Sequence, residues 1–160
     1  MGKNILLAIG TTALALSMSV PAVPAENRVV KCKTGAARKA NAPAGPALVA
    51  NIPRSMSPID LNAVQFIDRD LTKRVVVEGL FARRTPTDTV EITARLVNCT
   101  NAPLQVMARS SFMDEAQAPT EATSAWSKLF IPAHGTGTYR ETSISRDSVH
   151  YYLIELSAAR

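Results

Sequence analysis

The strongest constraint on the fold is a strict alternation of apolar and polar residues in DTVEITARLVN, residues 88–98. The apolar side chains share one parity, so an extended chain would present them on a single face: Val90, Ile92, Ala94 and Leu96. A period of two residues is typical of a β-strand with one buried face. This segment therefore predicts a strand that covers a hydrophobic core.

Similar short runs recur after Pro58, with turn residues between them. KRVVVEGLFARRT, residues 73–85, is rich in β-branched residues, and its Gly79 indicates a bulge or bend. After the turn NCTNAP a second alternating run begins, and we interpret it as the other arm of a hairpin with residues 88–98. Its apolar members are Leu104, Val106, Ala108 and Phe112.

Three further runs, AWSKLFIP, TYRETS and HYYLIELS, complete a set of about six strands with turn signals about every ten residues. They predict an all-β fold, an immunoglobulin-like antiparallel β-sandwich over residues 59–160. We expect Trp126 to be a core or half-core residue, with a binding role as the alternative. SPIDLNAVQFID, residues 57–68, fits either a leading strand or a short helix.

Residues 1–25 have the pattern of a cleaved export signal. Lys3 precedes an apolar run from Ile5 to Leu16, and Val23 and Ala25 occupy the small-residue positions of a cleavage site. The apolar run is shorter than the roughly 20 residues that span a bilayer, so we expect an exported mature chain without a transmembrane segment. Lys31 stands where a lipobox needs a small residue before Cys32, which argues against lipidation there.

Residues 26–58 form a predicted extended basic arm. They contain six Lys or Arg residues and one acid, which gives a net charge of +5. Residues 59–160 carry a net charge of −1. The arm lacks a periodic apolar pattern and is rich in Ala, Pro, Gly and Asn, so it cannot bury enough surface to fold alone. It is either a solvated linker or a segment that contacts neighbours through Arg28, Lys31, Lys33, Arg38 and Lys39.

Export makes nucleic acid an improbable partner for this arm, and the arm has no aromatic residue on which bases could stack. The expected partners are protein subunits of an envelope complex, including further copies of this chain. Peripheral association with an anionic membrane surface is a second use of the same charge.

Catalytic patterns are sparse. His134 and His150 lack the spacing of a zinc site, and we expect them in a surface turn and at a strand edge. No nucleotide-binding glycine motif and no nucleophile elbow occur. Two facing carboxylates could hydrolyse a glycan, but most acids flank turns, where they cap backbone donors. The sequence therefore predicts no enzyme, no catalytic residues, no metal site and no cofactor.

RLVNCTNAPLQVMARSSFMDE, followed by SAWSKLFIPAHGTGTY and a closing YYLIEL, resembles the YcfL-like family of small bacterial envelope proteins. In that family an asparagine closes one strand, and the next ends in an arginine, an aromatic residue and an aspartate. The resemblance covers roughly residues 71–156. It implies a periplasm-facing sandwich with no established activity, although this chain lacks the lipobox of typical members.

The resemblance is densest at Arg109, Phe112 and Asp114. A functional role there is one interpretation. We instead expect Arg109 to pair with Asp114 across the strand end and Phe112 to fill the core.

These observations leave two classes of function. One is a structural or interaction subunit of an envelope assembly such as a secretion or conjugation machine, in the periplasm or associated with the outer membrane. The other is a free periplasmic module that binds a small ligand or a cell-wall fragment. We favour the first because a long arm without an anchor has no evident use in a lone binder.

The two cysteines, Cys32 and Cys99, have alternative interpretations. An oxidising compartment favours a disulfide between them. Two independent thiols remain the alternative, because the arm could be too mobile to hold Cys32 in place. A nucleophilic Cys99 is disfavoured, since no basic residue within its turn would lower its pKa.

Overall fold

The computed structural model describes residues 32, 45–49, 54–59, 61–146 and 148–159. Its strands in chain order are β1 (Ala47–Leu48), β2 (Ser57–Pro58), β3 (Val64–Phe66), β4 (Val75–Arg84), β5 (Val90–Asn98), β6 (Leu104–Met113), β7 (Ser127–Ile131), β8 (Thr136–Thr142) and β9 (Tyr151–Ala158). Two short 3-10 helices span Leu61–Ala63 and Leu71–Lys73. Within these ranges no helix has the length and apolar character needed to cross a membrane.

Two sheets pack face to face. The front sheet contains β7, β6 and β9 in that order. β1 and β3 both pair with the edge of β9 that lies opposite β6. The back sheet has the order β2-β4-β5-β8. All pairings are antiparallel except that of β3 with β9. The predicted all-β sandwich is confirmed.

The core lies between the two sheets and follows the alternation of the sequence. The four apolar residues on one parity of β5 are fully buried, and Tyr152, Ile154 and Leu156 of β9 are buried opposite them in the front sheet. Phe112 is buried too, as expected. Burial of one parity in each sheet is the main stabilising contribution to such a fold.

The predicted irregularity at Gly79 is a β-bulge. The register of β4 against β5 shifts between Val77 and Gly79. A Cβ atom at Gly79 would lie 2.9 Å from the ring of Phe81, so the close approach of that ring favours glycine.

The predicted hairpin of β5 with β6 is wrong. β5 pairs with β4 and β8 in the back sheet, whereas β6 pairs with β7 and β9 in the front sheet. The connection between them therefore crosses from one sheet to the other.

The side chain of Asn98, which is fully buried at the end of β5, stabilises this crossing. Its Nδ2 donates to the carbonyls of Ala102, Ile131 and Pro132 at 2.8, 3.2 and 3.0 Å, and its Oδ1 accepts from the Thr100 backbone N–H at 2.9 Å. An asparagine that forms a turn is compatible with a hairpin and with a crossing between sheets, which is why the sequence pattern predicted the wrong strand pairing.

Residues 57–68 contain both of the predicted alternatives: the short strands β2 and β3, and the 3-10 helix Leu61–Ala63 between them. The last part of the predicted arm also enters the sandwich. Ala47 and Leu48 pair with β9, and Ser57 and Pro58 pair with β4. Residues 1–25 and the five basic residues of the arm named above lie outside the described residues.

Candidate functional site

The predicted Cys32–Cys99 disulfide is present. The two Cα atoms lie 5.6 Å apart, and the bond joins residues separated by 67 positions. Neither cysteine is free. Cys99 follows the Asn98 crossing, and its backbone N–H donates to the Arg74 carbonyl at 2.7 Å, so the bond fixes Cys32 beside the start of β4. Cys99 is therefore a structural cysteine rather than a nucleophile.

The outer face of the front sheet carries a groove with a volume of about 470 Å³. Its floor follows one row of neighbouring residues across the strands. Ser157 of β9 lies opposite Met107 of β6, and Met107 lies opposite Lys128 of β7. Ile67, which follows β3, extends the row on the far side, and Trp126 borders the groove.

The next row of the sheet contains Arg109, which is held on two sides beside the groove. Its Nε donates to Glu155 Oε2 at 2.6 Å, and its guanidinium lies 4.5 Å from the centroid of the Trp126 ring, which lines the groove. Both charged side chains are partly buried. A guanidinium that is stacked on an indole and bonded to a carboxylate restricts both neighbours, so Arg109 holds the Trp126 ring in place.

Two predictions are corrected here. Arg109 does not pair with Asp114 but with Glu155, its neighbour on β9. Trp126 does not lie in the core between the sheets: it is on the outer face and 37% exposed, because it shares the parity of Lys128 and the exposed Phe130. Asp114 instead caps its own turn, where its Oδ1 accepts from the Ala118 backbone N–H at 2.9 Å.

β7 is the edge strand of the front sheet, paired only with β6 among the described strands. Its outward parity carries Lys128 and Phe130, and Phe130 is 63% exposed. Lys128 has no ion pair with any described residue. The edge therefore presents an exposed aromatic ring and an unpaired cation beside the groove.

The remaining candidate groups have structural roles. Asp68 accepts from the Ser157 hydroxyl and the Ala158 N–H, both at 2.7 Å. His134 lies in an exposed turn, as predicted, and its Nε2 is 2.6 Å from Asn101 Oδ1. In the described part of the chain no three His, Cys, Asp or Glu side chains converge as metal ligands would.

Two buried tyrosines have perturbed hydroxyls. Burial raises the pKa of Tyr139, whose Oη lies 2.9 Å from Ser110 Oγ. Burial also raises the pKa of Tyr152, whose hydroxyl has no hydrogen-bond partner in the described part of the chain. Both are inside the core, away from the groove.

Sequence reasoning did not find the groove. Its lining comes from four strands that are distant in the chain, and the pairing of β6 with β9 is not visible in local patterns. One feature of the sequence does indicate this surface. Trp126, Lys128 and Phe130 are alternate residues, so a strand would place these three large side chains on the same face.

The comparisons with known proteins add the fold. No protein-family profile and no curated protein match this sequence. Among solved structures, the chain resembles cj0090 of Campylobacter jejuni with a TM-score of 0.51 and 15% identity, over 61% of this chain and 98% of that one. It also aligns with a DUF1425 family member from Shewanella sp. pv-4, with a TM-score of 0.43 and 7% identity, over 72% and 98% of the two chains. At this identity the likeness to the Campylobacter protein concerns the fold alone.

Proposed function

We propose that this chain is an exported, non-catalytic interaction subunit of a bacterial cell-envelope assembly, docked through the outer face of its front sheet. Its location in the periplasm or at the outer membrane is part of the proposal, as is its membership of the YcfL-like family. The sequence supports both through the export pattern of residues 1–25 and the resemblance over residues 71–156.

The observation that carries the proposal is the distribution of exposed large hydrophobic residues. Six large hydrophobic side chains are exposed among the described residues. Four of them lie on the front sheet's outer face or beside it: Leu48, Ile67, Trp126 and Phe130. Isolated exposed apolar residues need no explanation, but a concentration on one face marks an interaction surface. Ile67 and Trp126 line the groove on this face, and Trp126 is stacked on Arg109.

The basic arm supplies a second contact in this proposal. The disulfide holds Cys32 against the sandwich, so the basic residues on either side of it start from a fixed point. Attaching a segment covalently beside a docked neighbour raises its effective concentration there. An acidic surface on an adjacent subunit is the matching partner for a charge of +5.

The test is co-purification from the envelope of the cell that produces the protein, with tagged wild type and variants. Trp126→Ala combined with Phe130→Ser removes the exposed face and should abolish recovery of the partner. Ile144→Ser is the matched control, because Ile144 is 86% exposed in the loop that follows β8 of the back sheet and does not line the groove. Unchanged recovery with the double variant would contradict docking through the front sheet.

The arm is tested separately. Replacing Arg28, Lys31, Lys33, Arg38 and Lys39 with glutamine, while Cys32 is kept, should weaken recovery and make it less sensitive to salt. A variant that recovers the partner as well as wild type at every salt concentration would remove the arm from the proposal.

A small-ligand module is the second candidate, supported by the size of the groove. A volume of about 470 Å³ lies within the usual range of ligand sites, and its lining combines apolar side chains with one lysine. Native mass spectrometry of the protein released gently from its own cells tests this candidate. A bound small molecule that Met107→Ala or Trp126→Ala releases would favour it over a protein partner.

A further inference from the structure

We propose that the partner contributes an extended segment with a central acidic residue, which adds as a strand to the free edge of β7. The inference rests on the proposed docking through the front sheet and names the chemistry of the partner there. It follows from three features of β7: backbone groups that bond to no described residue, an exposed apolar stripe, and a lysine without an ion pair among the described residues.

The direction of the backbone groups follows from the hydrogen bonds of β6. The Ser110 carbonyl accepts from the Ser124 N–H on the side where β7 lies, at 2.9 Å. The Gln105 carbonyl accepts from the Ala159 N–H on the opposite side, next to β9, at 3.4 Å. In an antiparallel ladder the N–H and C=O of a residue point to the same side, and successive residues alternate. Even-numbered residues of β6 therefore bond towards β7.

The opposite residues of β7 bond back towards β6. Leu104, Val106 and Ala108 of β6 lie opposite three residues of β7: Ile131, Leu129 and Ser127. The backbone N–H and C=O groups of Lys128 and Phe130 consequently point away from the sheet. No described residue bonds to them. Such free groups are the donors and acceptors that an added strand uses.

The side chains beside these free groups favour an apolar strand. Lys128 and Phe130 project on the outer face, and Trp126 continues the stripe past the start of β7. A lysine on an edge strand can by itself discourage pairing. The exposed aromatic ring of Phe130 has the opposite effect, because burying it against a neighbouring strand is favourable.

Charge selects the central residue of the added strand. Lys128 has no carboxylate partner among the described residues, whereas the nearby Arg109 is already bonded to Glu155. An acidic residue opposite Lys128 would supply the missing partner. Residues two positions away on the added strand would lie opposite Trp126 and Phe130, where aliphatic side chains fit. The predicted partner segment thus alternates aliphatic, acidic and aliphatic residues on one face.

The first test uses a synthetic peptide of that pattern. Valine, glutamate and valine occupy alternate positions, so that they share one face, and threonine occupies the positions between them. The full mature protein should bind it about two- to fivefold more tightly than the same peptide with lysine in place of glutamate. Lys128→Glu should reverse this preference, and it leaves the ladder between β6 and β7 intact. Equal binding of both peptides by wild type would overturn the assignment of an acidic partner.

The second test reads the backbone directly by amide hydrogen exchange. The peptide should slow exchange at Lys128 and Phe130 by at least about tenfold, while Leu129, already bonded to β6, should change little. A docked side chain without strand addition would not produce this alternation. Peptide binding without protection of both amides would overturn the inference.

Phe130→Pro separates this inference from the proposed function. It removes an outward N–H and leaves the bonds of Ser127, Leu129 and Ile131 to β6 in place. Partner recovery that is lost in the Trp126 and Phe130→Ser double variant but kept in Phe130→Pro would refute strand addition and leave docking through the face intact. Recovery that survives in both variants would refute both. A thermal melt of each variant verifies that it is folded.

Discussion

At the scale of single residues, most buried polar groups in the described part of this sandwich are bonded, and the hydroxyls of Thr93 and Tyr152 are among the exceptions. Asn98 satisfies its amide at the crossing between the sheets, and Tyr139 reaches Ser110 across the core. Tyr152 is fully buried, and its hydroxyl has no hydrogen-bond partner among the described residues. Because an unbonded buried hydroxyl costs free energy, the two tyrosines should respond in opposite ways to loss of the oxygen.

Tyr152→Phe should leave the free energy of unfolding unchanged or raise it by up to about 1 kcal/mol, since it removes an unsatisfied group. Tyr139→Phe should lower it by about 1 kcal/mol because it breaks the bond to Ser110. Urea denaturation at neutral pH measures both. A loss for Tyr152→Phe as large as that for Tyr139→Phe would mean that the Tyr152 hydroxyl is bonded.

Alkaline pH gives an independent readout of the same residues. Burial raises the pKa of both tyrosines in the folded state above the ordinary value of 10.0. The folded chain therefore holds its phenolic protons more tightly than the unfolded chain does. This contribution to stability is complete below pH 10 and is lost as the pH rises above it. The stability of Tyr152→Phe should fall less steeply above pH 10 than that of wild type.

Sequence patterns predicted some residue roles and missed others for a definable reason. The alternation of apolar residues alone predicted Phe112 in the core, and this alternation is a property of the local sequence. The partner of Arg109 is Glu155, which lies close only because β9 pairs with β6. Asp114 was the nearest acid in the sequence, but it bonds within its own turn.

At the scale of elements, the corner between β7 and β8 depends on a close approach. A Cβ atom at Gly137 would lie 2.7 Å from Cγ1 of Ile131, which is fully buried. Gly137→Ala should destabilise the protein by about 1–3 kcal/mol through overpacking. Gly45→Ala is the control, because nothing lies within 4 Å of a Cβ atom there. Thermal melts that fall equally for the two variants would contradict this account of the corner.

The loop before β9 is held by one carboxylate. Glu121 accepts from the Ile144 N–H at 2.9 Å and from the Ser145 N–H at 2.6 Å. Glu121→Ala should accelerate amide exchange at both positions and lower the free energy of unfolding by about 1–3 kcal/mol. Glu115→Ala, at an exposed position of the neighbouring turn, should do neither. Unchanged exchange at Ile144 in the Glu121 variant would show that other contacts hold the loop.

Elements were more predictable than their pairing. The strict alternation of β5 and β9 identifies strands because one buried face is a local property. The choice between a hairpin and a crossing after Asn98 depends on which sheet the next strand joins, and that is decided by distant contacts. Leu104–Met113 alternates in the same way whether it pairs with β5 or with β9.

At the scale of the whole molecule, the disulfide is the covalent link between the arm and the sandwich. It closes a loop with a sequence separation of 67 residues and joins Cys32 to the crossing beside β4. The bond was predictable from the cysteine count together with the export pattern of the sequence. The groove was not, because it exists only once four strands are assembled.

Replacing both cysteines with serine should lower the free energy of unfolding by about 4 kcal/mol on the chain-entropy argument. Denaturation of wild type with and without a reductant provides the comparison, and alkylation followed by intact mass reports the thiols. Two alkylated cysteines in the unreduced protein would contradict the bond.

The central claim, docking of a protein through the outer face of the front sheet, is tested most directly by photocrosslinking in the producing cell. A photoreactive amino acid at Phe130 should give a discrete adduct with an envelope protein. The same group at Thr138, exposed on the edge strand of the back sheet, should give none. The absence of any adduct from Phe130, or identical adducts from both positions, would contradict the claim.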